Sequence, residues 1–527
     1  MSSTLKKLAE KPILLLIAVN LIVGLFIFRD YGLSWDEPLF YDYGDALGYA
    51  YSPREWFSGQ FDVSNSYGAS GDDHKTRGPA YLFLAREPAY LLQSLGLDQA
   101  SAWHLINFLF FQLSVYFLYR LSARWMKPSA ALAASALFAW QPLLWGHAFI
   151  NPKDPPFLTF FLASVCLGFE MVDQLKEDKP GVASIIFPAI VLGITTSTRV
   201  LGPLAGLLVF IYFISTNNIN RRTSWLAFFG YGALAIVAMF LTWPYLWESP
   251  ITNFIGVFRL MSDNPTNLSV LFDGEVFRAG ELPRRYMPFM LTTTLTEPVW
   301  FLFIFGLVAG YWKIIKGGSA AKKNQLVTLT LTLSWFLIVI AYVIIRKPAM
   351  YDGIRHFLFI VPPIFIFAGF ALEWIEEQIR SLSAFRVSWL YAVAVGVLLL
   401  PGMLGIARLH PYEYTYYNSF VGGTEKIFRN YETDFWLTCY KEAVEELNQE
   451  TAPLTLYVHR EAYLADYYAN DNITVRDRRG IDDEIQSGDY LLVNTRTNED
   501  RRFLNDVPPF IQVQRGDALF CIIKRVP

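Results

Sequence analysis

Ser34-Trp35-Asp36-Glu37-Pro38 decides how this chain is read. It follows an apolar run that begins near residue 12 and ends at Phe28-Arg29-Asp30, so two adjacent carboxylates stand just outside a bilayer rather than within it. Pro38 suits the first turn of a helix, and Phe40, Tyr43, Leu47 and Tyr51 recur at helical spacing. Together they predict a helix lying along the membrane surface with Asp36 at its mouth. An acidic pair at a helix N-terminus also favours that terminus electrostatically, so a purely structural reading of Asp36 and Glu37 stands beside a catalytic one.

The run before this stretch is the first of many. Of 527 residues 53% are hydrophobic and 17% aromatic, gathered in long blocks, which is the composition of a polytopic membrane protein. Runs near 12–28, 101–121, 129–147, 155–173, 183–198, 201–215, 225–246, 291–312, 326–345, 356–375 and 388–407 predict about 11 transmembrane helices. Alternate loops then separate by charge. Lys6, Lys7, Lys11, Arg120, Arg124, Lys127, Lys176, Lys179, Arg221, Arg222, Lys313, Lys316, Lys322, Lys323, Arg380 and Arg386 fall on one side, cytoplasmic by the positive-inside rule. The other loops, including 29–100, face the exterior, in an inner or plasma membrane crossed many times. This assignment needs 79–97 to stay at the outer interface, and Arg86, Glu87 and Pro88 in its middle agree with that. The first run is long for a signal peptide, and Arg29-Asp30-Tyr31 stands where a cleavage site would be, so an uncleaved span is expected.

A net charge of −3 gives no electrostatic case for a nucleic-acid partner. Cys166, Cys439 and Cys521 show no metal-ligand spacing: Cys166 reads as core, and Cys439 and Cys521 can pair only if the tail brings them together. The chain divides into a membrane domain, 1–430, with its exterior loop 29–100, and a small soluble α/β domain, 431–527, on the exterior face. In the latter, 454–458 and 490–493 read as strands, 440–449 as a helix and 510–524 as a hairpin.

Polar clusters collect in the exterior loops. Asp72-Asp73-His74-Lys75-Thr76-Arg77-Gly78-Pro79 puts two cations beside a membrane-surface segment, suited to a phosphate at headgroup level or simply to solvent. Asn151-Pro152-Lys153-Asp154-Pro155-Pro156 carries a basic and an acidic side chain at the rim, and Asp154 is also a good helix cap. Arg199 occupies a very short link, while Arg346, Lys347, Arg355 and His356 flank Pro348-Ala349-Met350-Tyr351-Asp352-Gly353. Cations placed against the topological bias need partners, either a polyanionic ligand or acidic neighbours such as Asp352 and Asp36.

Taken in order, the exterior Asp36-Glu37, the basic turn Lys75-Thr76-Arg77-Gly78-Pro79, the turn Asn151-Pro152-Lys153-Asp154 and Gly353-Ile354-Arg355-His356 before Val361-Pro362-Pro363 resemble the GT-C glycosyltransferases of the protein O-mannosyltransferase and aminoarabinose transferase type. The resemblance covers roughly residues 12–375. The tail run from His410-Pro411-Tyr412-Glu413 to Glu432-Thr433-Asp434-Phe435-Trp436 is similar to bacterial members of that group. The resemblance implies transfer of a sugar from a polyprenyl-phosphate-linked donor to a glycan, lipid or protein acceptor at the exterior face, with inversion. Asp36 is then the general base, with Glu37 beside it. Lys75, Arg77, Lys153, Arg199, Arg355 and His356 are candidates for holding the donor phosphate, and Asp154 belongs to the same site. No cofactor is implied, since fixed cations can replace a metal; a divalent ion between Asp36 and Asp154 is the alternative. A polytopic transporter or flippase of an anionic or lipid-linked substrate, and a non-catalytic membrane scaffold displaying the tail, are the other classes. Two related halves with helices broken at midplane would mark the transporter.

Overall fold

The structure, a computed structural model, describes residues 12–177, 181–216, 222–262, 266–316, 322–382, 387–480 and 484–527. Of the cations assigned to the inner side, Lys6, Lys7, Lys11, Lys179, Arg221 and Arg386 lie outside the described residues.

Helices occupy every predicted apolar run. They are α1 (Pro12–Ile27), α2 (Glu37–Ala50), α3 (Ala80–Ser94), α4 (Gln99–Ser122), α5 (Pro128–Ala139), α6 (Pro142–Ile150), α7 (Asp154–Lys176), α8 (Ala183–Thr198), α9 (Pro203–Ser215), α10 (Arg222–Leu241), α11 (Pro250–Ser262), α12 (Tyr286–Thr294), α13 (Glu297–Lys316), α14 (Lys322–Arg346), α15 (Pro362–Leu382) and α16 (Val387–Leu409). Among the described residues six of them, α4, α7, α10, α13, α14 and α16, are long and apolar enough to cross a membrane, and α1, α5, α8 and α9 are shorter apolar helices.

Two expected spans are broken. Pro142 has no N–H to continue α5 into α6, and a second break separates α12 from α13. Gln141 and Thr296 close both breaks by pairing: Gln141 Nε2 donates to Thr296 Oγ1 at 3.0 Å, and Thr296 N–H donates to Gln141 Oε1 at 2.9 Å. Backbone groups freed inside a bundle are tolerated only when such partners exist.

Helix α7 is the axis of the bundle. Its apolar stretch is 94% buried, against 17% for the outer helices α10 and α16. Ion pairs gather at its C-terminal end, where Glu170 meets Arg120 (Nε, 2.7 Å) and Asp173 meets Arg124 (2.8 Å). Lys313 pairs with Glu373 and donates to the Trp125 carbonyl there (2.9 Å). Asp154 opens the same helix at its other end, about 24 Å from Glu170 at 1.5 Å per residue.

The tail carries α17 (Cys439–Leu447) and α18 (Ala462–Asp466), packed against a five-stranded sheet. After the antiparallel pair β1 (Ser269–Phe272) and β2 (Glu275–Arg278), which lies before the tail, the sheet's strands β3 (Leu454–Val458), β4 (Ile473–Asp477), β5 (Tyr490–Asn494), β6 (Ile511–Arg515) and β7 (Ala518–Arg525) lie in the order β4-β3-β5-β7-β6. β3 runs parallel to β4 and β5, with Val458 opposite Leu492, while β7 is antiparallel to β5 and β6. A disulfide joins Cys439 on α17 to Cys521 on β7, and Cys166 is free and buried.

The surface placement expected for α2 is corrected. Phe40, Tyr43 and Leu47 are buried inside the protein, where Leu82 of α3 and Trp103 of α4 share their cluster. The apolar stripe meets protein rather than lipid because α3 lies over it.

Candidate active site

Asp36 precedes α2 but does not cap it, for its side chain makes no bond to the helix N-terminus. Glu37 does the structural work. Its Oε2 accepts the Ser34 N–H at 2.7 Å, and its Oε1 accepts the Tyr41 hydroxyl at 2.6 Å and stands 3.1 Å from His104 Nε2. Glu37 is completely buried, so the two neighbouring carboxylates are divided: one is consumed by packing, the other left for the site. The loop is tied from several sides. Ser34 Oγ donates to the Ile150 carbonyl (2.8 Å), Trp35 N–H to the Trp436 carbonyl (3.2 Å), and Tyr463 Oη to the Trp35 carbonyl (2.6 Å).

Arg355 reaches Asp36 from a turn in which Asp352 (φ 57°) and Gly353 (φ 66°) both take the left-handed conformation, which glycine adopts freely and aspartate tolerates. Nε and Nη2 of Arg355 both lie on Asp352 Oδ2, at 3.0 and 2.9 Å. Nη1 is left to stand 3.6 Å from Asp36 Oδ2 and 3.5 Å from Asp154 Oδ2. The guanidinium lies over the Trp436 ring, 4.4 Å from its centre. Burial opposes its charge, but Asp352, Tyr351 and Asp36 outweigh that and raise its pKa. Side-chain exposure ranks the three carboxylates: 18% for Asp36, 2% for Asp154 and none for Asp352, so Asp36 is the one open to a ligand.

Asp154 is not needed as a cap either, because Asn151 Oδ1 accepts the N–H groups of Lys153 (3.1 Å) and Asp154 (2.9 Å). Its carboxylate accepts from Asn151 Nδ2 at 2.9 Å and pairs with Arg199. Arg199 follows α8 in extended conformation, and burial, with Arg355 next in effect, holds its pKa below the usual arginine range.

Arg77 arrives beside Arg199 because Gly78 lets the two chains touch: a Cβ there would lie 1.8 Å from the Ser197 carbonyl oxygen. Arg77 and Lys153 share one aromatic ring, their charged groups 5.9 and 5.5 Å from the centre of Phe40. His74 meets the same ring edge-on at 5.3 Å. Burial, reinforced by Arg77 and Lys153, holds the His74 pKa down at about 4, so a neutral ring faces Arg77 Nη1 at 3.5 Å. Burial, then Arg77 and Arg199, pushes the Lys153 ammonium well below the usual lysine range. Among the described residues neither Arg77 nor Lys153 lies within ion-pair distance of a carboxylate.

Asp36, Arg77, Lys153, Asp154, Arg199 and Arg355 thus come together. His356 lies next to Arg355, its ring 4.8 Å from Tyr351. Lys75 contributes its backbone carbonyl to Trp243 Nε1 (3.1 Å), and Arg77 rather than Lys75 shares the Phe40 ring. One Nη1 of Arg355 occupies the gap between Asp36 and Asp154, so the two carboxylates that a divalent ion would bridge already face a shared cation. Sequence reasoning missed Arg496 of the tail, which is buried and bonds Asp352 (2.6 Å) and Glu432 (3.4 Å) with Trp35 beneath it. Nothing local to Asn494-Thr495-Arg496-Thr497 signals that role.

No protein-family model matches the chain, and no curated protein matches it by sequence. Solved structures do. The apo oligosaccharyltransferase of Archaeoglobus fulgidus is similar over 94% of this chain and 70% of its own, with TM-score 0.50 at 12% identity. ArnT from Cupriavidus metallidurans, solved bound to undecaprenyl phosphate, covers 97% of each chain with TM-score 0.47 at 14% identity. The arabinofuranosyltransferase AftD from Mycobacteria covers 97% of this chain and 40% of its own, with TM-score 0.44 at 13% identity. A carboxylate and a row of cations at one end of a bundle of apolar helices are built here on a fold similar to that of the apo oligosaccharyltransferase of Archaeoglobus fulgidus.

Proposed function

We propose that the protein transfers a sugar from a polyprenyl-phosphate-linked donor to a glycan, lipid or protein acceptor at the exterior face of the membrane, inverting the anomeric carbon. One observation carries this reading: Arg77 and Lys153, both half-buried, stand over one ring beside an accessible Asp36, with no carboxylate within ion-pair distance of either among the described residues. Partly desolvated cations without such a partner favour an anion from outside. In the step proposed, an acceptor hydroxyl attacks the anomeric carbon and Asp36 takes its proton. The bond from that carbon to the phosphate oxygen breaks, and the lipid phosphate leaves with the electron pair. Arg77, Lys153, Arg199 and Arg355 stabilise its developing charge in place of a metal ion, with Lys75 and His356 at the periphery. Asp154 holds Arg199 and Arg355 in position. Among the described residues, six helices long and apolar enough to cross a membrane and the four shorter apolar helices α1, α5, α8 and α9 are consistent with a many-span topology.

Undecaprenyl phosphate binding to the purified protein in nanodiscs tests the reading. Arg77→Ala and Lys153→Ala should each lose a charge-assisted contact of about 1.5–3 kcal/mol, roughly a 10- to 150-fold weakening. Binding equal to wild type in both variants would remove the donor site from this cluster. Mass spectrometry of lipids and glycoconjugates from cells with and without the gene identifies the sugar and acceptor.

A further inference from the structure

Arg496 comes from the far end of the chain, at the close of β5, yet none of its side chain is exposed. Nη2 donates to Asp352 Oδ1 at 2.6 Å, Nε to Glu432 Oε1 at 3.4 Å and Nη1 to the Phe435 carbonyl at 3.5 Å. Its guanidinium lies over the Trp35 ring, 4.7 Å from the centre, one residue before Asp36. A buried arginine of this kind is weak evidence for stability, because burying its charge costs about as much as its pairs return. The division of the Asp352 carboxylate is more telling. Arg496 holds Oδ1, so Nε and Nη2 of Arg355 converge on Oδ2 and its remaining edge is turned toward Asp36 and Asp154. With Oδ1 vacant, Asp352 could offer both oxygens to Arg355 in a fork geometry, and the guanidinium would turn with it. Burial also drives the Glu432 carboxyl up to about 8 despite Arg496.

We propose that Arg496 is a positioning residue that acts through Asp352 to aim Arg355 at the donor phosphate, making the tail part of the active site. The inference rests on the donor-site reading above. It is tested on the full-length protein in nanodiscs with the same lipid phosphate as probe, in a double-mutant cycle of Arg496→Gln with Arg355→Ala. Arg496→Gln should weaken binding about tenfold in the wild-type background and not at all once Arg355 is alanine. Arg496→Lys, which keeps a positive charge beside Asp352 but loses the planar fork and the stacking on Trp35, should recover only part of the lost binding. Wild-type binding by Arg496→Gln, an equal loss in both backgrounds, or a lysine variant as weak as the glutamine one overturns the proposal. Unchanged binding in Arg355→Ala alone also overturns it, whereas unchanged binding in both Arg77→Ala and Lys153→Ala refutes the donor-site reading instead. If Arg496→Gln does not fold, Asp352→Asn breaks the same relay at its middle and enters the same cycle: a loss that vanishes in Arg355→Ala supports the relay, and one that persists overturns it.

Discussion

Asp36 and Glu37 are neighbours in sequence with the same functional group, and the structure gives them opposite work. Glu37 is sealed among Ser34, Tyr41 and His104, while Asp36 keeps its carboxylate toward Arg355. Asp36→Asn should therefore bind lipid phosphate like wild type yet lose on the order of 10²–10⁴ in turnover, seen as donor accumulating in the lipid extract of cells carrying it. Glu37→Gln should lower the thermal midpoint of the purified protein, since one buried partner loses its match at about 1–3 kcal/mol. Full turnover in Asp36→Asn would remove the base; an unchanged melting curve in Glu37→Gln would remove the structural role. At this scale the sequence was legible where charge defied topology. Arg199 and Arg355 stood out because cations on the exterior side need a reason. Arg496 did not, because its partner Asp352 lies 144 residues away and a soluble segment gives an arginine no special mark.

Elements meet at a second polar joint beyond the site. His410, just past α16, has Nε2 2.8 Å from Asp30 after α1 and Nδ1 2.8 Å from Glu413, which also accepts the Tyr31 hydroxyl at 2.9 Å. Arg515 Nε donates to the His410 carbonyl (2.7 Å) and its Nη groups pair with Glu442. Both ring nitrogens face carboxylates, so the charged imidazolium fits. Burial pulls its pKa down, but Glu413 and then Asp30 outweigh it and raise it above the ordinary value. A pKa raised on folding gives stability that is complete below about pH 6.5 and lost as pH climbs through the folded value. The thermal midpoint should fall as pH is raised above that range, and His410→Gln should flatten this dependence; identical pH profiles for the two proteins would dismiss the joint as a source of stability. Helices α1 and α16 were evident from their apolar lengths. The breaks at Gln141 and Thr296 were not, because two residues 155 apart in sequence close them together. Strands β3 and β5 showed as apolar runs, whereas β4, which reads Ile-Thr-Val-Arg-Asp, alternates polar residues and passed unnoticed.

For the whole molecule, the separation of charge along α7 makes a claim about sidedness. The cations that the sequence assigns to the inner side find carboxylates at one end, around Glu170, Asp173 and Glu373, while the cation-rich site lies at the other. Single cysteines at the exposed positions Ser58 and Asn470 should react with a membrane-impermeant maleimide in intact cells, and one at Lys323 should react only after lysis; labelling at Lys323 with protection at Ser58 would invert the topology. The loop that carries Asp36 is roofed by Trp436, Tyr463 and Arg496, so it waits for residues translated long after it. At roughly 5–20 residues per second the ribosome reaches Arg496 some 25–90 s after Asp36. Throughout that interval the nascent protein holds Asp36 without its roof, so on the function proposed above a ribosome stalled before β5 leaves behind a chain that occupies the membrane and consumes no donor lipid.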